Sequence, residues 1–201
     1  MKKLVVYIHG KGGSADEVGH YKALFPQSDV MGFDYKAQTP WEAAKEFPAY
    51  MAKESCGYDD ITLIANSIGA YFSLCSLGKC NISRAFLISP VADMEKLICN
   101  MMTWANVTEA ELQERRVVDT AFGDSLSWEY LCYVRQHPIK WDKPTHILYG
   151  EKDELTDIET IRHFAKNANA TLDIMEGGEH WFHTKEQMEY LDKWIRKYNN
   201  E

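Results

Sequence analysis

The sequence predicts an α/β protein with a three-layer α/β/α architecture, in which a six-stranded parallel sheet lies between two layers of helices. Short apolar runs rich in β-branched residues alternate with longer segments of helical periodicity, and Gly, Pro, Asp or Asn residues separate them. This alternation is typical of repeated strand–helix units. Residues 4–8 and 61–65 are almost entirely apolar, as expected for strands that are covered on both faces.

The length and the periodicities place all these elements in a single domain, residues 1–201. A chain of 201 residues is long enough to bury one substantial core. Strands are predicted at residues 4–9, 30–34, 61–65, 85–89, 146–149 and 171–175. Helices are predicted at residues 17–25, 40–55, 67–77, 156–167 and 185–198, the last with an apolar face at helical spacing.

One segment, residues 91–143, interrupts the alternation. It contains no convincing strand and is predicted to form two or three short helices, one of which begins with the capping box Thr108-Glu109-Ala110-Glu111. An apolar, methionine-rich stripe that includes Met101 lies just upstream. A connection of this length is too long for a plain loop, so we predict a small helical cap inserted after the fourth strand.

The composition disfavours several classes of partner. The formal net charge is −8, from 22 Lys and Arg against 30 Asp and Glu, which argues against nucleic acid and anionic membranes. No apolar stretch reaches the roughly 18 residues of a membrane helix, and the N-terminal run is too short for a signal peptide, so a cytoplasmic protein is expected. The five cysteines are expected to be reduced and largely buried. Nothing in the sequence favours a monomer over a homodimer.

The junction between the third predicted strand and the following helix reads Ala65-Asn66-Ser67-Ile68-Gly69, one residue short of the pattern G-x-S-x-G. Small neighbours are needed there because the helix must begin close against the strand. The run resembles the nucleophile elbow of the α/β-hydrolase family. The resemblance implies that Ser67 is a nucleophile and that the Ile68 N–H donates to an oxyanion. The alternative is that Ser67 only caps a helix.

A glycine-rich loop follows the first predicted strand, with the sequence His-Gly-Lys-Gly-Gly-Ser over residues 9–14. It resembles the H-G-x-G oxyanion loop of the same family. The resemblance implies that the Lys11 N–H is the second oxyanion donor, with Gly12 as the next candidate. The glycine spacing does not fit a phosphate-binding loop. His9 is expected to be a structural hydrogen-bonding residue.

The fifth predicted strand ends in Gly150 and an acidic turn, which resembles the end of the family's acid-bearing strand and assigns the acid to Asp153. A solvated acidic turn is the alternative, with Asp157 near the start of the next helix. Some members of the family carry the acid after the fourth strand, which makes Asp93 the second candidate.

The loop after the last predicted strand contains His180, followed by Trp181 and Phe182. It resembles the family's catalytic histidine loop, in which aromatic residues often follow the histidine. His183 does not match that position. Two histidines without a Cys or His cluster elsewhere make a weak zinc site, so no metal is expected.

The order Ser67, Asp153, His180, each after a predicted strand, is the order found in the α/β-hydrolase family. The resemblance is to its minimal members, which lack the first two strands, and it implies the strand order 2-1-3-4-5-6. It also implies a serine hydrolase that cleaves a small-molecule carboxylic ester through an acyl-enzyme, with no cofactor. Gly12, Trp104 and Trp181 are the candidate substrate-binding residues.

Other functions remain compatible with the same residues. A thioesterase or an acyltransferase would use the same acyl-enzyme and differ in the bond cleaved or in the acceptor. A binding protein could keep the fold without turnover, because a fold alone does not establish activity.

Overall fold

The chain forms two compact units. The computed structural model describes residues 1–199 of the protein. The first unit consists of Met1–Ala92 and Lys140–Glu201, and the second of Asp93–Ile139. The second unit therefore falls inside the insertion predicted over residues 91–143.

The first unit contains a six-stranded parallel sheet in the order β2-β1-β3-β4-β7-β8. These strands are β1 Lys3–Ile8, β2 Asp29–Phe33, β3 Asp60–Asn66, β4 Arg84–Ile88, β7 Thr145–Gly150 and β8 Thr171–Met175; β5 Val117–Asp119 and β6 Ser125–Ser127 form a separate hairpin in the second unit. All neighbouring strands of the large sheet are parallel. Counted within this sheet, the order is the predicted 2-1-3-4-5-6, and the predicted α/β class is confirmed.

The helices of the first unit follow the strands. They are α1 Val18–Tyr21, α2 Pro40–Glu54, α3 Ser67–Ser76, α7 Ile158–Asn167 and α8 Lys185–Asn199. The continuous helix predicted over residues 17–25 is wrong, because this segment consists of α1 between two 3₁₀ turns, Ala15–Glu17 and Lys22–Leu24. Phe25 ends it at φ −128° and ψ 61°, outside the helical region, because Pro26 disfavours a helical conformation in the residue before it.

Side chains alternate between the two faces of the large sheet, and both faces are covered. On one face Tyr7, Ile64 and Phe86 belong to a buried cluster with the apolar face of α8, including Trp194. On the other face the aromatic rings of α2 and α3 pack around β2 and its following loop. Their ring pairs include Phe33 with Phe47, at 4.9 Å, and Tyr35 with Phe72, at 6.0 Å. The sheet is therefore a rigid support for residues at its carboxyl edge.

The second unit contains three helices and the hairpin. The helices are α4 Met94–Trp104, α5 Glu109–Arg115 and α6 Trp128–Gln136. Thr108 caps α5 through the predicted capping box with Glu111. The expectation of no strand here is wrong: β5 and β6 pair around a turn with Gly123 at φ 91°. Each strand has three residues and one buried side chain, which is too short for a detectable alternation.

The composition led us to expect reduced, buried cysteines and no membrane-spanning helix. All five thiols are free, but they are not largely buried as expected: Cys56 is exposed and the other four are partly exposed. Burial is greatest at Cys75, where it raises the pKa of the thiol to about 11. Within residues 1–199, no helix combines the length and the apolar character needed to cross a membrane.

Candidate active site

Ser67 lies at the sharp turn between β3 and α3. Its backbone has φ 50°, a left-handed conformation that is strained for a residue with a side chain. Two glycines make room for the turn. A Cβ on Gly10 would lie 3.2 Å from the Ser67 Cβ, and a Cβ on Gly69 would lie 2.2 Å from the His9 carbonyl oxygen. Small residues at these positions therefore allow α3 to begin directly against the end of β1.

The structure brings Ser67, His180 and Asp153 together in one line of hydrogen bonds. The Ser67 Oγ lies 2.8 Å from the His180 Nε2, and the His180 Nδ1 lies 2.7 Å from the Asp153 Oδ2. Ser67 follows β3, Asp153 follows β7, and His180 follows β8, so the carboxyl edge of the sheet places all three.

The Asp153 carboxylate is fully buried and accepts every hydrogen bond around it. Its Oδ1 accepts the N–H groups of Leu155, at 2.8 Å, and Thr156, at 3.0 Å. Its Oδ2 accepts the Thr156 hydroxyl at 3.1 Å in addition to the His180 ring. This arrangement places a ring proton on the His180 Nδ1 and leaves the Nε2 to accept a proton from Ser67.

Close backbone packing joins the turn that carries Asp153 to the loop that carries His180. A Cβ on Gly150 would lie 2.4 Å from the Glu179 carbonyl oxygen, and the Lys152 N–H donates to the Gly178 carbonyl at 2.7 Å. The sequence pattern marks Gly150 as the end of a strand but does not indicate this contact.

The other two candidate acids have structural roles. Asp93 is the N-cap of α4 and accepts the Lys96 N–H at 2.9 Å. Asp157 is the N-cap of α7 and accepts both the N–H and the hydroxyl of Thr160, at 2.9 and 2.8 Å. Their carboxylates therefore support helix N-termini.

The remaining histidines near this edge contact other groups. The His9 Nδ1 lies 2.8 Å from the Gly10 carbonyl oxygen, and its ring stacks on Tyr35 with a centroid distance of 4.4 Å. The His183 Nδ1 lies 2.7 Å from the Trp181 carbonyl oxygen. In the described part of the chain, no three His, Cys, Asp or Glu side chains form a group that could hold a metal ion.

The first turn of α3 has backbone N–H groups that no side chain caps. Asn66 is the N-cap residue, but its side chain makes no capping hydrogen bond. The first N–H groups of a helix, here including Ile68, have no partner within the helix. These N–H groups and the helix dipole together favour a negative charge beside the N-terminus of α3.

A cavity of about 600 Å³ opens beside Ser67 and His180. The predicted residues Lys11, Gly12 and Trp181 line it, and the Trp181 ring is 71% exposed. Trp104 lines a cavity of about 340 Å³ formed by residues of the second unit.

Comparisons with known proteins identify the fold. No protein-family model and no curated protein sequence matches the chain. The structure is similar to Est1E from Butyrivibrio proteoclasticus, with a TM-score of 0.79 and 17% identity over 99% of this chain and 87% of that chain. It is also similar to mouse alpha/beta hydrolase domain-containing protein 10, with a TM-score of 0.79 and 13% identity over 98% and 89% of the two chains. The chain has the α/β-hydrolase fold.

A third similar structure is the esterase Pf2001 from Pyrococcus furiosus, with a TM-score of 0.63 and 17% identity over 99% of this chain and 81% of that chain. At these identities the likeness establishes the α/β-hydrolase fold, and the chemistry has to be argued from the side chains of this chain. In open parallel sheets, ligands bind at the carboxyl ends of the strands, where Ser67 and its partners lie.

One wall of the large cavity is polar, and no sequence motif indicated it. The Tyr7 hydroxyl donates a short hydrogen bond to the Glu17 carboxylate and accepts one from the Asn66 Nδ2 at 3.1 Å. Glu17 also accepts the Ser14 N–H at 3.2 Å, within a capping box that is visible as Ser-x-x-Glu in the sequence. Burial raises the pKa of Tyr7 far above its ordinary value, and Tyr21 and Glu17 act in the same direction, so this hydroxyl is a neutral donor.

Proposed function

We propose that this protein is a serine hydrolase that cleaves a small carboxylic ester through an acyl-enzyme on Ser67. The observation that carries the proposal is the line of hydrogen bonds from the Ser67 Oγ to the His180 Nε2, at 2.8 Å, and from the His180 Nδ1 to the Asp153 Oδ2, at 2.7 Å. A serine hydroxyl is a weak nucleophile until an oriented base accepts its proton.

In the proposed reaction His180 takes the proton of Ser67 as the Oγ attacks the ester carbonyl. Asp153 holds the ring orientation and stabilises the imidazolium that forms. The N–H groups of Ile68 and Lys11 donate to the oxyanion. The protonated His180 then gives its proton to the leaving alcohol. A water molecule, activated by the same imidazole, hydrolyses the acyl-enzyme, so the cycle needs no metal or cofactor.

The strained backbone of Ser67 supports an enzyme over a binding protein with the same fold. A φ of 50° costs on the order of 1–3 kcal/mol at a residue other than glycine, and it persists only where the surrounding structure imposes it. A turn that only capped α3 would have no need of this conformation.

The similar proteins and the cavity support an ester as the substrate. Among the similar structures, Pf2001 is named an esterase, and Est1E was also solved with ferulic acid bound. A cavity of about 600 Å³ is in the range that holds a small molecule. Thioester cleavage and acyl transfer are second candidates, because both proceed through the same acyl-enzyme.

Hydrolysis of a panel of p-nitrophenyl esters tests the proposal. We expect steady turnover with short acyl groups, a burst of p-nitrophenol equal to the enzyme concentration where deacylation is slow, and neither in Ser67→Ala. Addition of a primary alcohol separates hydrolysis from acyl transfer, because a transferase releases the new ester in place of the acid. If the wild-type protein binds these esters without turnover, the result would support the alternative of a binding protein that has the fold but no catalytic activity.

A further inference from the structure

The two N–H groups that donate to the oxyanion in the proposed reaction belong to peptide units whose carbonyls come from the preceding residues. The Lys11 N–H shares its peptide with the Gly10 carbonyl, and the Ile68 N–H shares its peptide with the Ser67 carbonyl. A trans peptide is planar, so its N–H and C=O point in opposite directions. The groups that bind these two carbonyls therefore control the direction in which the two N–H groups point.

The Gly10 carbonyl is held by two donors from its own loop. The His9 Nδ1 lies 2.8 Å from this oxygen, and the Gly13 N–H donates to it at 3.2 Å. A carbonyl oxygen can only accept, so the His9 Nδ1 carries the ring proton, and the two donors use both lone pairs. The bond from Gly13 closes a four-residue turn, in which Gly12 has the positive φ, 75°, of the third position of a type II turn. His9 is therefore a side-chain donor that orients the peptide of Lys11.

The His9 ring is itself held in place by Tyr35. The two rings stack with a centroid distance of 4.4 Å and an interplanar angle of 15°, and the Tyr35 hydroxyl donates to the His9 carbonyl at 3.0 Å. Tyr35 is buried and lies edge-on to Phe72 of α3. The packing between the sheet and its helices thus sets the direction of the His9 Nδ1.

The second nitrogen of the His9 ring shows that the ring does more than fill space. The His9 Nε2 is buried and has no hydrogen-bond partner within residues 1–199. A buried polar atom without a partner is unfavourable, so a ring that served only for packing would be more stable as a phenyl group. The hydrogen bond from the Nδ1 to the Gly10 carbonyl accounts for a histidine at this position.

The other donor peptide is held in the same way, but by the backbone. The Ser67 carbonyl accepts the Val91 N–H at 3.3 Å. Val91 is buried and follows Ser89, whose φ of 43° turns the chain at the end of β4. A side-chain substitution does not remove this backbone donor. His9 is the corresponding side-chain group, and a substitution can test it.

We propose that His9 is a positioning residue of the oxyanion hole, and that its Nδ1–H holds the Gly10 carbonyl so that the Lys11 N–H points at the oxyanion. The proposal rests on the serine hydrolase function proposed above and adds to it a residue outside the triad. His9 neither touches the substrate nor exchanges a proton. Its loss should lower kcat and leave KM nearly unchanged, because the oxyanion forms only as the transition state is approached.

Two substitutions separate the hydrogen bond from the packing of the ring. His9→Phe keeps an aromatic ring against Tyr35 and removes the Nδ1 donor, whereas His9→Asn places an amide N–H close to the Nδ1 position. We expect kcat for p-nitrophenyl acetate to fall about tenfold to 100-fold in His9→Phe, less than the roughly 10²–10³ lost with a whole oxyanion donor. In His9→Asn kcat should stay within about threefold of the wild type, since the donor is retained.

His146→Phe is the matched control. The His146 ring also stacks on a tyrosine, Tyr198, at 3.9 Å, and its Nδ1 also makes a hydrogen bond, with the Thr171 Oγ1 at 2.9 Å. His146 lies near the amino end of β7, whereas the candidate site lies at the carboxyl ends of the strands. The same chemical change should therefore leave kcat unchanged there.

A pair of ketone inhibitors reports on the oxyanion alone. The Ser67 Oγ adds to the carbonyl carbon of a trifluoromethyl ketone while His180 takes the proton, and the ketone oxygen becomes an oxyanion. The methyl ketone of the same chain length binds without this addition. In His9→Phe the inhibition constant of the trifluoromethyl ketone should rise by the factor by which kcat/KM falls, and that of the methyl ketone should not change. A purely structural role of His9 would weaken both inhibitors or neither.

Melting temperatures are measured for every variant, and His9→Leu replaces His9→Phe if the latter does not fold. Wild-type kcat in the variant without the donor overturns the proposal, as does an equal loss of kcat in His9→Asn. Failure of both His9→Phe and His9→Leu to fold would make the ring a structural element and would also overturn it.

The wild-type protein separates this proposal from the function on which it rests. A wild type that neither reacts with a fluorophosphonate nor hydrolyses any ester contradicts the serine hydrolase function itself. An active wild type whose folded His9→Phe variant is equally active remains a serine hydrolase, but one in which His9 does not position the oxyanion hole.

Discussion

Gly69 packs directly against the carbonyl oxygen of His9, at a position where a β-carbon would come within 2.2 Å of that oxygen. The contact joins the first turn of α3 to the start of the glycine-rich loop at residues 9–14. It therefore holds the turn that carries Ser67 against the loop that carries Lys11, whose N–H is an oxyanion donor in the proposed reaction.

Gly69→Ala is the first test of this contact. The added methyl group cannot fit, so the loop or the helix must shift, and we expect a loss of about 1–3 kcal/mol in the free energy of unfolding together with a lower kcat. Gly19→Ala is the matched control: a Cβ there has open space, and alanine favours a helix. Urea unfolding and ester hydrolysis measure both effects. Equal stability of the two variants would show that the contact is not tight.

Asp153→Asn tests the proposed acid. We expect kcat to fall by on the order of 10²–10⁴, because the amide cannot hold His180 in the same tautomer or stabilise the imidazolium. Asp93→Asn and Asp157→Asn should change kcat little, since asparagine caps a helix about as well as aspartate. The largest loss in Asp93→Asn would move the acid to the end of β4.

His180→Ala and His183→Ala test the proposed base. Only a neutral imidazole can accept the proton of Ser67, so kcat/KM of the wild type should fall as the pH is lowered. His180→Ala should remove most of the activity and this acid limb, whereas His183→Ala should retain both, because its ring nitrogen lies against the Trp181 carbonyl. A pH profile of p-nitrophenyl acetate hydrolysis decides the assignment, and loss of the acid limb in His183→Ala would reverse it.

Ser67, Asp153 and His180 could be predicted as site residues from the sequence because each follows a strand and lies within a short local pattern. The polar wall of the large cavity, formed by Tyr7, Glu17 and Asn66, could not be found in this way. Glu17 and Asn66 are far apart in the chain, and each has an ordinary local interpretation, as part of a capping box and as the residue before the nucleophile. Their pairing through the Tyr7 hydroxyl depends on the parallel register of β1 and β3, which no local periodicity encodes.

The second unit shows a similar limit of sequence analysis. Its helices have caps and apolar faces that the pattern detects, as at Thr108. The hairpin depends on single buried residues in strands of three, Val118 and Leu126, and on a turn at Gly123. Such short pairs are stabilised by packing within their unit, so the residues themselves carry little signal.

Trp104→Ala tests the predicted cap. The Trp104 side chain is 53% exposed and lies edge-on to Phe122, so its removal should cost little stability. If the second unit shapes the acyl pocket, the variant shifts the preferred chain length among acetyl to decanoyl esters. Trp141→Ala is the control: Trp141 is buried and donates to Thr145, so about 3–5 kcal/mol of stability should be lost without a change in preference. An unchanged chain-length profile in Trp104→Ala contradicts the cap.

The site and rate of fluorophosphonate labelling show whether Ser67 is a nucleophile activated by His180. Such a reagent reacts readily only with an oriented serine that has an adjacent base. Ser89 is the matched control, because it also has a positive φ, of 43°, but is buried and its hydroxyl has no partner in the described chain. We expect one label, located at Ser67 by peptide mapping. It should be lost in Ser67→Ala, form much more slowly in His180→Ala and be retained in Ser89→Ala. A label on another serine, or a rate unaffected by His180→Ala, would contradict this prediction.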